Sequence, residues 1–445
     1  MQREIEYDKK SVDSIYRYAL ELSGKTLSQV VDLPQNVENP RNRGDLGSLV
    51  EKYYFRHTPP NDGNPDFAEA GLELKTTGVR STSGRIFKAK ERLVLTKINY
   101  EKIVDEKWES SSLLHKCKLM LVIFYLYKKD VAVYDQVFQP DPKLFDMITS
   151  LQVDLPGIRR DWETIRQFVL DGKAHELGEG DTNYLKACRK GSGGPNEKLV
   201  TQPFSHIKAQ SRAFSFGAKF VNLSILENEG KQIVHSFDPK VSQEEGIRAR
   251  FKTFLGLSIE EIIDKLALSI STKPSKSINY SLALRILNSQ GNLPVELRKA
   301  GITLKTVRIR EDGKPRESMS FKSFEYMKLR EETWDDSEFS EALEQRFLLV
   351  VFRIGDDGIE RLEKVGYWNM PYKDRMEAKR VWEETKKRVD VDCSSLPGLR
   401  ESPIAHVRPH GRNGEDKIPT PQGTFEVRKS FWLNREYIGN IVHGI

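Results

Sequence analysis

The sequence predicts an α/β fold in which a mixed sheet is flanked by helices, and it predicts that this unit occurs twice in tandem. Three observations lead to this prediction. Short apolar runs with strand periodicity alternate with segments of helical periodicity. The segment Ala70–Thr76 (Ala-Gly-Leu-Glu-Leu-Lys-Thr) has a counterpart at Ala300–Thr306 (Ala-Gly-Ile-Thr-Leu-Lys-Thr), 230 positions later. Two further pairs of segments repeat in the same order.

These further pairs have nearly the same spacing. Residues 26–31 match residues 258–263 at a distance of 232 positions. The runs that begin at Trp108 and Trp334 both end in an apolar strand pattern, and these ends lie 228 positions apart. Because segments repeated in one order at one spacing are typical of internal repeats, the chain is predicted to be a tandem duplication.

A polar stretch separates the two copies. Residues 227–246 carry glycines and acidic residues and lack sustained periodicity. The whole chain of 445 residues is also longer than a single ordinary core supports. We therefore predict two domains, residues 1–230 (the first half) and residues 231–445 (the second half).

Periodicity predicts the elements of the first half in order. Apolar residues at helical spacing, such as Ile15, Ala19 and Leu22, indicate an amphipathic first helix. Alternating or continuous short apolar runs indicate strands. The predicted elements are helices over residues 11–22, 46–55 and 161–171, and strands over residues 71–77, 92–96 and 119–127. Loops rich in Gly, Ser, Asn and Lys connect them, notably residues 190–198.

Composition excludes several classes of protein. The net charge of +6 and the pI near 8.9 permit a nucleic-acid partner without requiring one. No apolar run reaches the roughly 18 residues that a membrane span needs. The first residues contain acids where a signal peptide has basic and then apolar residues, and the three cysteines are far apart. We therefore expect a cytoplasmic protein without a disulfide framework or a structural zinc site.

The first copy carries a candidate metal site. In a strand over residues 71–77, Glu73 and Lys75 point to one face because side chains alternate. Asp66, just before the strand, can converge on the same point. Two carboxylates and a main-chain carbonyl suit Mg²⁺ (magnesium), and a lysine beside it can orient or deprotonate an attacking water. This pattern favours metal-dependent hydrolysis of phosphodiesters, with Glu51 on the preceding helix as a third acid.

The alternative interpretation is a solvent-facing strand without catalytic function. Glu-x-Lys on a half-exposed strand is common, and an acid a few residues earlier is not rare. The third acid and the basic stretch that follows favour the catalytic interpretation.

Three motifs then carry a family resemblance. In order they are Gly44-Asp-Leu-Gly-Ser-Leu-Val-Glu51, Asp66-Phe-Ala-Glu-Ala-Gly-Leu-Glu-Leu-Lys75 and Trp108-Glu-Ser-Ser-Ser-Leu-Leu-His-Lys-Cys-Lys118. They resemble the motifs of the MutH family, which comprises the mismatch-repair nicking endonuclease and two-domain type II restriction enzymes that cut GATC. The resemblance covers most of residues 40–225.

The resemblance implies a fold and a set of catalytic residues. The fold is that of the PD-(D/E)xK nucleases. The implied residues are the helix glutamate Glu51, the metal-binding Asp66 and Glu73, the catalytic Lys75, and a further active-site lysine, Lys116. Without the family resemblance, Lys116 would be interpreted as a solvated charge at a strand edge. His115 is interpreted as structural.

A basic segment of the first half is predicted to contact DNA. Between residues 184 and 212 basic side chains outnumber the single acid Glu197, and glycines allow close approach to a phosphate backbone. The basic residues are Lys186, Arg189, Lys190, Lys198, Lys208 and Arg212. A solvated flexible loop is the alternative. In the family this loop reads GATC with an Arg-Pro-Lys core, whereas here Cys188 and Arg189 precede the retained Lys190.

The second half resembles the family more closely at its DNA loop. The segments His406-Val-Arg-Pro-His-Gly-Arg-Asn413 and Phe425-Glu-Val-Arg-Lys-Ser-Phe431 resemble the recognition loop and closing strand. Arginine can present two donors to guanine, the commonest specific base contact. The candidate DNA contacts are Arg408, His410, Arg412, Arg428 and Lys429.

The nuclease motif of the second half is broken. Aligned on the two glycines, Glu296 stands at the position of Asp66 and Thr303 at that of Glu73, while Lys305 matches Lys75. By residue count Glu344 falls opposite Lys116, and residues 280–287, opposite Glu51, contain no carboxylate. Too few ligands remain for Mg²⁺, so we expect this half to bind DNA without hydrolysing it.

Taken with the resemblance, the sequence predicts a Mg²⁺-dependent type II restriction endonuclease that makes double-strand breaks at a short palindrome, expected to be GATC. The second half is expected to be an allosteric effector that binds a DNA site. Expected partners are double-stranded DNA, a second copy of the chain on DNA, and the DNA methyltransferase of a restriction-modification system. The alternatives are a single-strand nicking mismatch-repair endonuclease and a non-catalytic DNA-binding protein.

Overall fold

The structure is a computed structural model that describes residues 7–34, 45–58, 63–82, 86–190, 199–227, 236–269, 278–334 and 337–445. The predicted domain boundary and most of the glycine-rich loop, including Lys198, lie outside these ranges.

The first half is built on a mixed sheet, as the sequence predicts. Its strands are β1 (Leu72–Thr82), β2 (Ile86–Ala89), β3 (Leu93–Lys97), β4 (Leu119–Leu126), β5 (Val137–Phe138), β6 (Lys143–Asp146), β7 (Leu185–Arg189), β8 (Val200–Gln202), β9 (Ser205–Ala209) and β10 (Arg212–Phe216). Strand β1 pairs in parallel with β4 and antiparallel with β2, and β4 also pairs antiparallel with β5 and β6. A second sheet has the order β3-β10-β7, and β8 and β9 form a hairpin.

Helices cover these sheets. The helix that carries Glu51 begins with α3 (Asp45–Leu49) and continues as a π-helical turn, Val50–Tyr54. The α-helices are α1 (Val12–Leu20), α2 (Leu27–Val30), α3 (Asp45–Leu49), α4 (Tyr100–Ile103), α5 (Ser112–Cys117), α6 (Met147–Ser150), α7 (Leu155–Leu170) and α8 (Ala218–Val221). Shorter helical turns are Ala68–Ala70, Trp108–Ser110, Val133–Asp135, Ala174–Glu176, Glu179–Asp181 and Asn222–Leu226.

The second half repeats this plan. Its strands are β11 (Thr303–Arg310), β12 (Met319–Ser323), β13 (Phe347–Ile354), β14 (Glu360–Trp368), β15 (Ala405–Pro409), β16 (Lys417–Pro419), β17 (Phe425–Val427) and β18 (Lys429–Leu433). Strand β11 pairs in parallel with β13, and β13 pairs antiparallel with β14. A second sheet has the order β12-β18-β15, and β16 and β17 form a hairpin. Its helices are α9 (Gln243–Lys252), α10 (Ile259–Lys265), α11 (Ile278–Leu287), α12 (Val295–Ala300), α13 (Tyr326–Glu331), α14 (Glu338–Leu343), α15 (Tyr372–Val389) and α16 (Arg435–Gly444).

The matching topologies of the two halves confirm the predicted duplication. The helix caps correct the alignment of the two halves at one position. Ser111 caps α5 and Ser337 caps α14, each three residues after a tryptophan. Counting from these caps, Ala342 is the equivalent of Lys116. Glu344, which the residue count placed there, lies beyond the end of α14, because the connection to the following strand differs in length.

The halves share an apolar core. One cluster buries residues of α5, β4 and α7 together with residues of α9, α11 and β13, so it continues across the predicted boundary. A second cluster lies within the second half, and a third packs α1 and α3 against β1. All three cysteines are buried and free of disulfides. Within the described ranges, no helix is long and apolar enough to cross a membrane.

Candidate active site and DNA interface

A tight turn brings Asp66 and Glu73 together at the start of β1. Gly71 has a φ of 63° and ends the helical turn Ala68–Ala70, a conformation that glycine adopts without strain. The chain therefore doubles back, and the Asp66 carboxylate accepts a hydrogen bond of 2.9 Å from the Leu74 amide. The Glu73 carboxylate accepts one of 3.1 Å from the Asp66 amide. The two acids are 5% and 1% exposed, so the turn fixes both in a buried position.

Two lysines neutralise these carboxylates. Lys75, two residues along the same face of β1, places Nζ 2.6 Å from Glu73 Oε1. Lys116, near the end of α5, places Nζ 3.1 Å from Glu73 Oε2 and 4.0 Å from Asp66 Oδ1. Lys116 therefore lies on a helix inside the cluster, and a solvated position at a strand edge is excluded.

Asn64 supports Lys116 in a way that sequence reasoning missed. Lys116 Nζ donates a 2.7 Å hydrogen bond to the Asn64 main-chain carbonyl, and His115 Nε2 lies 2.7 Å from Asn64 Oδ1. The contact of Lys116 uses a main-chain atom, so the residue type gave no signal for it. The His115 contact agrees with a structural role for that side chain.

Burial and charge shift the ionisation of the cluster. Burial raises the pKa of Glu73 above its usual value, against the opposing effect of Lys75. Burial would lower the pKa of Lys75, but the Glu73 carboxylate and smaller contributions reverse this and the pKa is raised. Lys75 is therefore held as a cation by its ion pair.

Glu51 joins the cluster from the helical segment that packs beside β1. Burial, followed by repulsion from Asp66, raises the pKa of Glu51 to about 7. Its carboxylate also interacts electrostatically with Glu73, Lys75 and Lys116. The five residues singled out in the first half thus lie in one place, with three acids and two amines.

The donor set fits a hard cation. Asp66, Glu73 and Glu51 offer oxygen atoms, the ligand type that Mg²⁺ and related ions prefer. In the described part of the chain no three His, Cys, Asp or Glu side chains form a ready-made metal cluster. A cation at Asp66 and Glu73 would therefore retain several waters, as Mg²⁺ usually does.

Lys190 lies close to this cluster and is accessible. Its side chain is exposed, its amide donates to the Ser211 carbonyl at 2.8 Å, and it begins the glycine-rich loop. Partial burial lowers its pKa, and repulsion from Lys97 and Lys75 adds to this. Lys97 is a further exposed cation here, which the sequence analysis did not single out.

Three residues expected to contact DNA are buried instead, which corrects the sequence analysis. Lys186 donates to the Thr182 carbonyl, and burial lowers its pKa to about 8. Arg212 is 2% exposed and donates to the carbonyls of Leu177 and Ala187. Lys429 is buried and donates to the Cys393 carbonyl at 2.6 Å. Satisfying buried carbonyls leaves these side chains unavailable to a duplex.

Arg189 is engaged by the other half. It lies 2.8 Å from the Glu344 carboxylate, and both side chains are less than one-fifth exposed. In this structure Arg189 therefore bridges the two halves, and its contact with DNA stays a prediction. Among the predicted basic residues of the first half that the structure describes, Lys190 and Lys208 are exposed.

In the second half the basic loop is accessible. Arg408, His410 and Arg412 are exposed, and Arg428 is half-buried near Asp416, with 3.6 Å between the guanidinium and the carboxylate. A cavity of about 470 Å³ is lined by His410, Gly411, Arg412, Asp416 and Arg428.

Trp432 supports this loop. The Arg408 guanidinium lies 3.7 Å from the centroid of the Trp432 ring, and the His410 ring lies 5.0 Å from it. The sequence analysis missed Trp432, although the pairing of β15 with β18 brings it diagonally beside Arg408. In the first half, Cys188 on β7 and Ser215 on β10 lie in the same diagonal arrangement as Arg408 and Trp432. This agrees with the sequence alignment, in which Cys188 stands at the position of the arginine.

The nuclease positions of the second half are occupied differently. Glu296 is buried, and its carboxylate accepts hydrogen bonds from the amides of Ser236 and Phe237, at 2.6 and 3.1 Å. The Thr303 hydroxyl donates to Gln345 Oε1 at 2.8 Å. Lys305 is half-buried, and burial lowers its pKa.

Comparison with known proteins gives relatives for both halves. The family model described as DNA mismatch repair enzyme MutH matches residues 55–161 and residues 288–379. The type II restriction enzyme Sau3AI of Staphylococcus aureus is 31% identical, over 96% of this chain and 97% of its own length. The DNA mismatch repair protein MutH of Shewanella woodyi is 27% identical, over 43% of this chain and 80% of its own length. That of Shewanella amazonensis is 27% identical, over 38% of this chain and 72% of its own length.

The duplicated fold and the matched family define a nuclease of the PD-(D/E)xK class, and such nucleases generally use a divalent metal ion. The chain belongs to the MutH-like family of two-domain type II restriction endonucleases. It is accordingly a site-specific deoxyribonuclease whose substrate is DNA.

Proposed function

We propose that the chain cuts double-stranded DNA at GATC in a Mg²⁺-dependent reaction, that residues 1–230 do the cutting, and that residues 231–445 bind DNA as an effector. The observation that carries this proposal is the difference between the two copies. The first joins Asp66, Glu73, Lys75 and Lys116 within 4.0 Å. In the second, Thr303 replaces Glu73, and Glu296, in place of Asp66, accepts hydrogen bonds from the Ser236 and Phe237 amides.

Asp66 and Glu73 would hold the Mg²⁺ ion. When bound, the ion supplies positive charge to the phosphodiester and to the negative charge that develops on its oxygens. In this structure the Nζ atoms of Lys75 and Lys116 pair with the two oxygens of the Glu73 carboxylate, at 2.6 and 3.1 Å. Binding of a cation would therefore release both amines toward the substrate.

Lys75 and Lys116 would then act on the reacting groups. Lys75 orients the attacking water and takes part in its deprotonation, and Lys116, held by the Asn64 carbonyl, donates to a phosphoryl oxygen. Hydrolysis forms a bond from the water oxygen to phosphorus and breaks one P–O ester bond. Glu51, with its pKa raised to about 7 by burial, can take up or release a proton beside them at neutral pH.

DNA would lie across Lys190 in the first half and across Arg408, His410, Arg412 and Arg428 in the second. Arg408 on its tryptophan platform is the residue best placed to contact guanine. Stacking holds the planar guanidinium in one orientation, and such a fork can donate two hydrogen bonds to O6 and N7. GATC itself follows from the resemblance to family members that cut it.

One intact site per chain implies a second copy during cleavage. The two scissile bonds of a palindrome are related by two-fold symmetry, so two first halves must meet on one site for a concerted cut. A restriction enzyme of this kind also needs a host methyltransferase that protects the same sequence, and that partner is part of the proposal.

A nicking mismatch-repair function is less favoured. The two mismatch-repair relatives match 43% and 38% of this chain, about one copy, whereas the restriction enzyme matches along 96% of it. A protein that nicks one strand does not need the second half that this chain carries.

Unmethylated plasmid incubated with the protein and Mg²⁺ tests the proposal. Linear fragments ending at GATC support it. Nicked circles alone indicate the mismatch-repair type, and retarded but intact plasmid indicates a DNA-binding protein without catalysis. Sequencing the fragment ends checks the recognition sequence.

A further inference from the structure

A cavity of about 660 Å³ lies beside Lys305, the residue that stands where the first half has Lys75. Strand β11 forms one wall, with the half-buried Thr306 and Arg308 among its residues. The start of α11 and the segment that leads into β12, which includes the exposed Arg316, form others. A lysine at such a position can reach a ligand that enters the cavity.

The surroundings leave Lys305 without a neutralising acid. Thr303, at the position of Glu73, is uncharged, and its hydroxyl is used by Gln345 at 2.8 Å. No described residue forms an ion pair with Lys305, and the cause of its lowered pKa is burial. Lys75 differs, because Glu73 lies 2.6 Å from its Nζ.

Acids in the cavity wall are engaged elsewhere or face solvent. Glu317 pairs with Arg308, and Glu360 accepts a hydrogen bond from Asn279. Glu260 is exposed on α10. These carboxylates therefore do not take the place of Glu73 beside the amine.

The two copies thus differ in the charge that lies beside the lysine. The first cluster has three carboxylates, Glu51, Asp66 and Glu73, against two amines, so a phosphodiester needs an added cation there. The second half retains a lysine, Lys305, at the position of Lys75. Glu296, in place of Asp66, turns its carboxylate to the Ser236 and Phe237 amides.

We propose that the cavity at Lys305 is a phosphate-binding site, which holds a backbone phosphate of the effector duplex directly through the lysine and without a metal ion. This inference rests on the proposed DNA-binding function of the second half and adds a site to it. Arg316 at the rim would contact a neighbouring phosphate. The effector half would therefore bind DNA in the absence of divalent metal.

The test measures binding of GATC-containing duplex to the full-length chain in EDTA, at several salt concentrations. Wild type is expected to bind duplex through its second half under these conditions. Lys305→Met should weaken this binding about tenfold, the loss expected for one charged hydrogen bond. It should also reduce the slope of log K against log salt by about 0.9, the value for one phosphate contact.

Two further variants separate charge from shape. Lys305→Arg keeps the charge and should keep the salt slope. Thr303→Glu places a carboxylate beside Lys305, as in the first half, and should weaken metal-free binding as Lys305→Met does. Melting temperatures of all variants show whether each remains folded.

Arg408→Ala distinguishes failure of this site from failure of the proposed function. If Arg408→Ala weakens duplex binding in EDTA while folded Lys305→Met changes neither the affinity nor the salt slope, the phosphate site is wrong and the effector function stands. If folded Arg408→Ala and folded Lys305→Met both bind duplex as wild type does, the effector function is wrong, and so is the proposed site.

Discussion

Lys75 Nζ lies 2.6 Å from Glu73 Oε1, two residues apart on the same face of β1. This ion pair neutralises a buried carboxylate. A cation that binds Glu73 must displace the amine, so metal binding and the release of Lys75 are coupled.

Removing the charge of either acid should abolish cleavage. Glu73→Gln and Asp66→Asn nearly preserve size but weaken a metal ligand, so single-turnover cleavage should fall by several orders of magnitude. Metal-free DNA binding should survive, because an acid that repels phosphate is lost. Rates come from plasmid cleavage and affinities from titrations in EDTA.

Glu296→Gln is the matched control in the second half. Its carboxylate accepts two main-chain hydrogen bonds and Glu296 lines a different cavity from Lys305, so this variant should still cut wherever it folds. Near-normal cutting by both Glu73→Gln and Asp66→Asn would exclude the metal assignment.

Glu51 should make stability depend on pH in a defined direction. Burial raises its folded-state pKa from 4.5 to about 7, so the folded protein holds the proton more tightly than the unfolded chain. The contribution of this raised pKa to the free energy of unfolding is fully present below about pH 4.5 and is lost as the pH rises through about 7. Glu51→Gln removes this dependence.

The melting temperature of Glu51→Gln, relative to wild type, should therefore increase between about pH 5 and about pH 8 in metal-free buffer. Melting curves across this range measure the difference. A difference that stays constant, or that falls with rising pH, would show that Glu51 titrates outside this window.

Arg408 should set base preference in the second half. Arg408→Ala should cost about 1–3 kcal/mol of binding to GATC duplex and less with duplexes in which the contacted guanine is replaced. Trp432→Leu should have a smaller effect in the same direction, because the guanidinium loses its platform 3.7 Å away. Equal losses on all sequences would instead assign Arg408 to the phosphate backbone.

A buried ion pair should make the two halves unfold together. Lys299 Nζ lies 2.6 Å from Asp154 Oδ2, across the predicted domain boundary, and both side chains are at most 5% exposed. Lys299→Met leaves the Asp154 charge buried and should reduce the free energy of unfolding by about 3–5 kcal/mol. Adding Asp154→Asn should restore part of this loss.

Denaturant unfolding followed by tryptophan fluorescence measures these changes. One shared transition is expected, because an apolar cluster also continues across the halves. Two separate transitions, with Lys299→Met affecting neither, would show that the halves are stabilised independently.

Much of the fold and part of the site could be predicted from local sequence. The period of two around Glu73 and Lys75 indicates a strand, and the repeated Ala-Gly pair reveals the duplication. The resemblance added Lys116, which α5 brings to Glu73. These inferences depend on residues close in the chain or on a known family.

Burial of basic side chains could not be predicted in this way. Lys186 and Arg212 carry the charge of a DNA contact, yet both point at main-chain carbonyls inside the fold. Arg189 meets Glu344, 155 positions away, only after the halves pack. Such pairings depend on tertiary structure, which periodicity and composition do not encode.

If each chain has one cutting half and one effector half, the rate of cleavage should depend on the number of sites in the substrate. Plasmids with one or two GATC sites are cut by the same enzyme preparation, with and without a short GATC duplex in trans. We predict faster double-strand cutting of the two-site plasmid and stimulation of the one-site plasmid by added duplex. Equal rates on both plasmids at all enzyme concentrations, with no response to duplex, would show that the second half is not an effector.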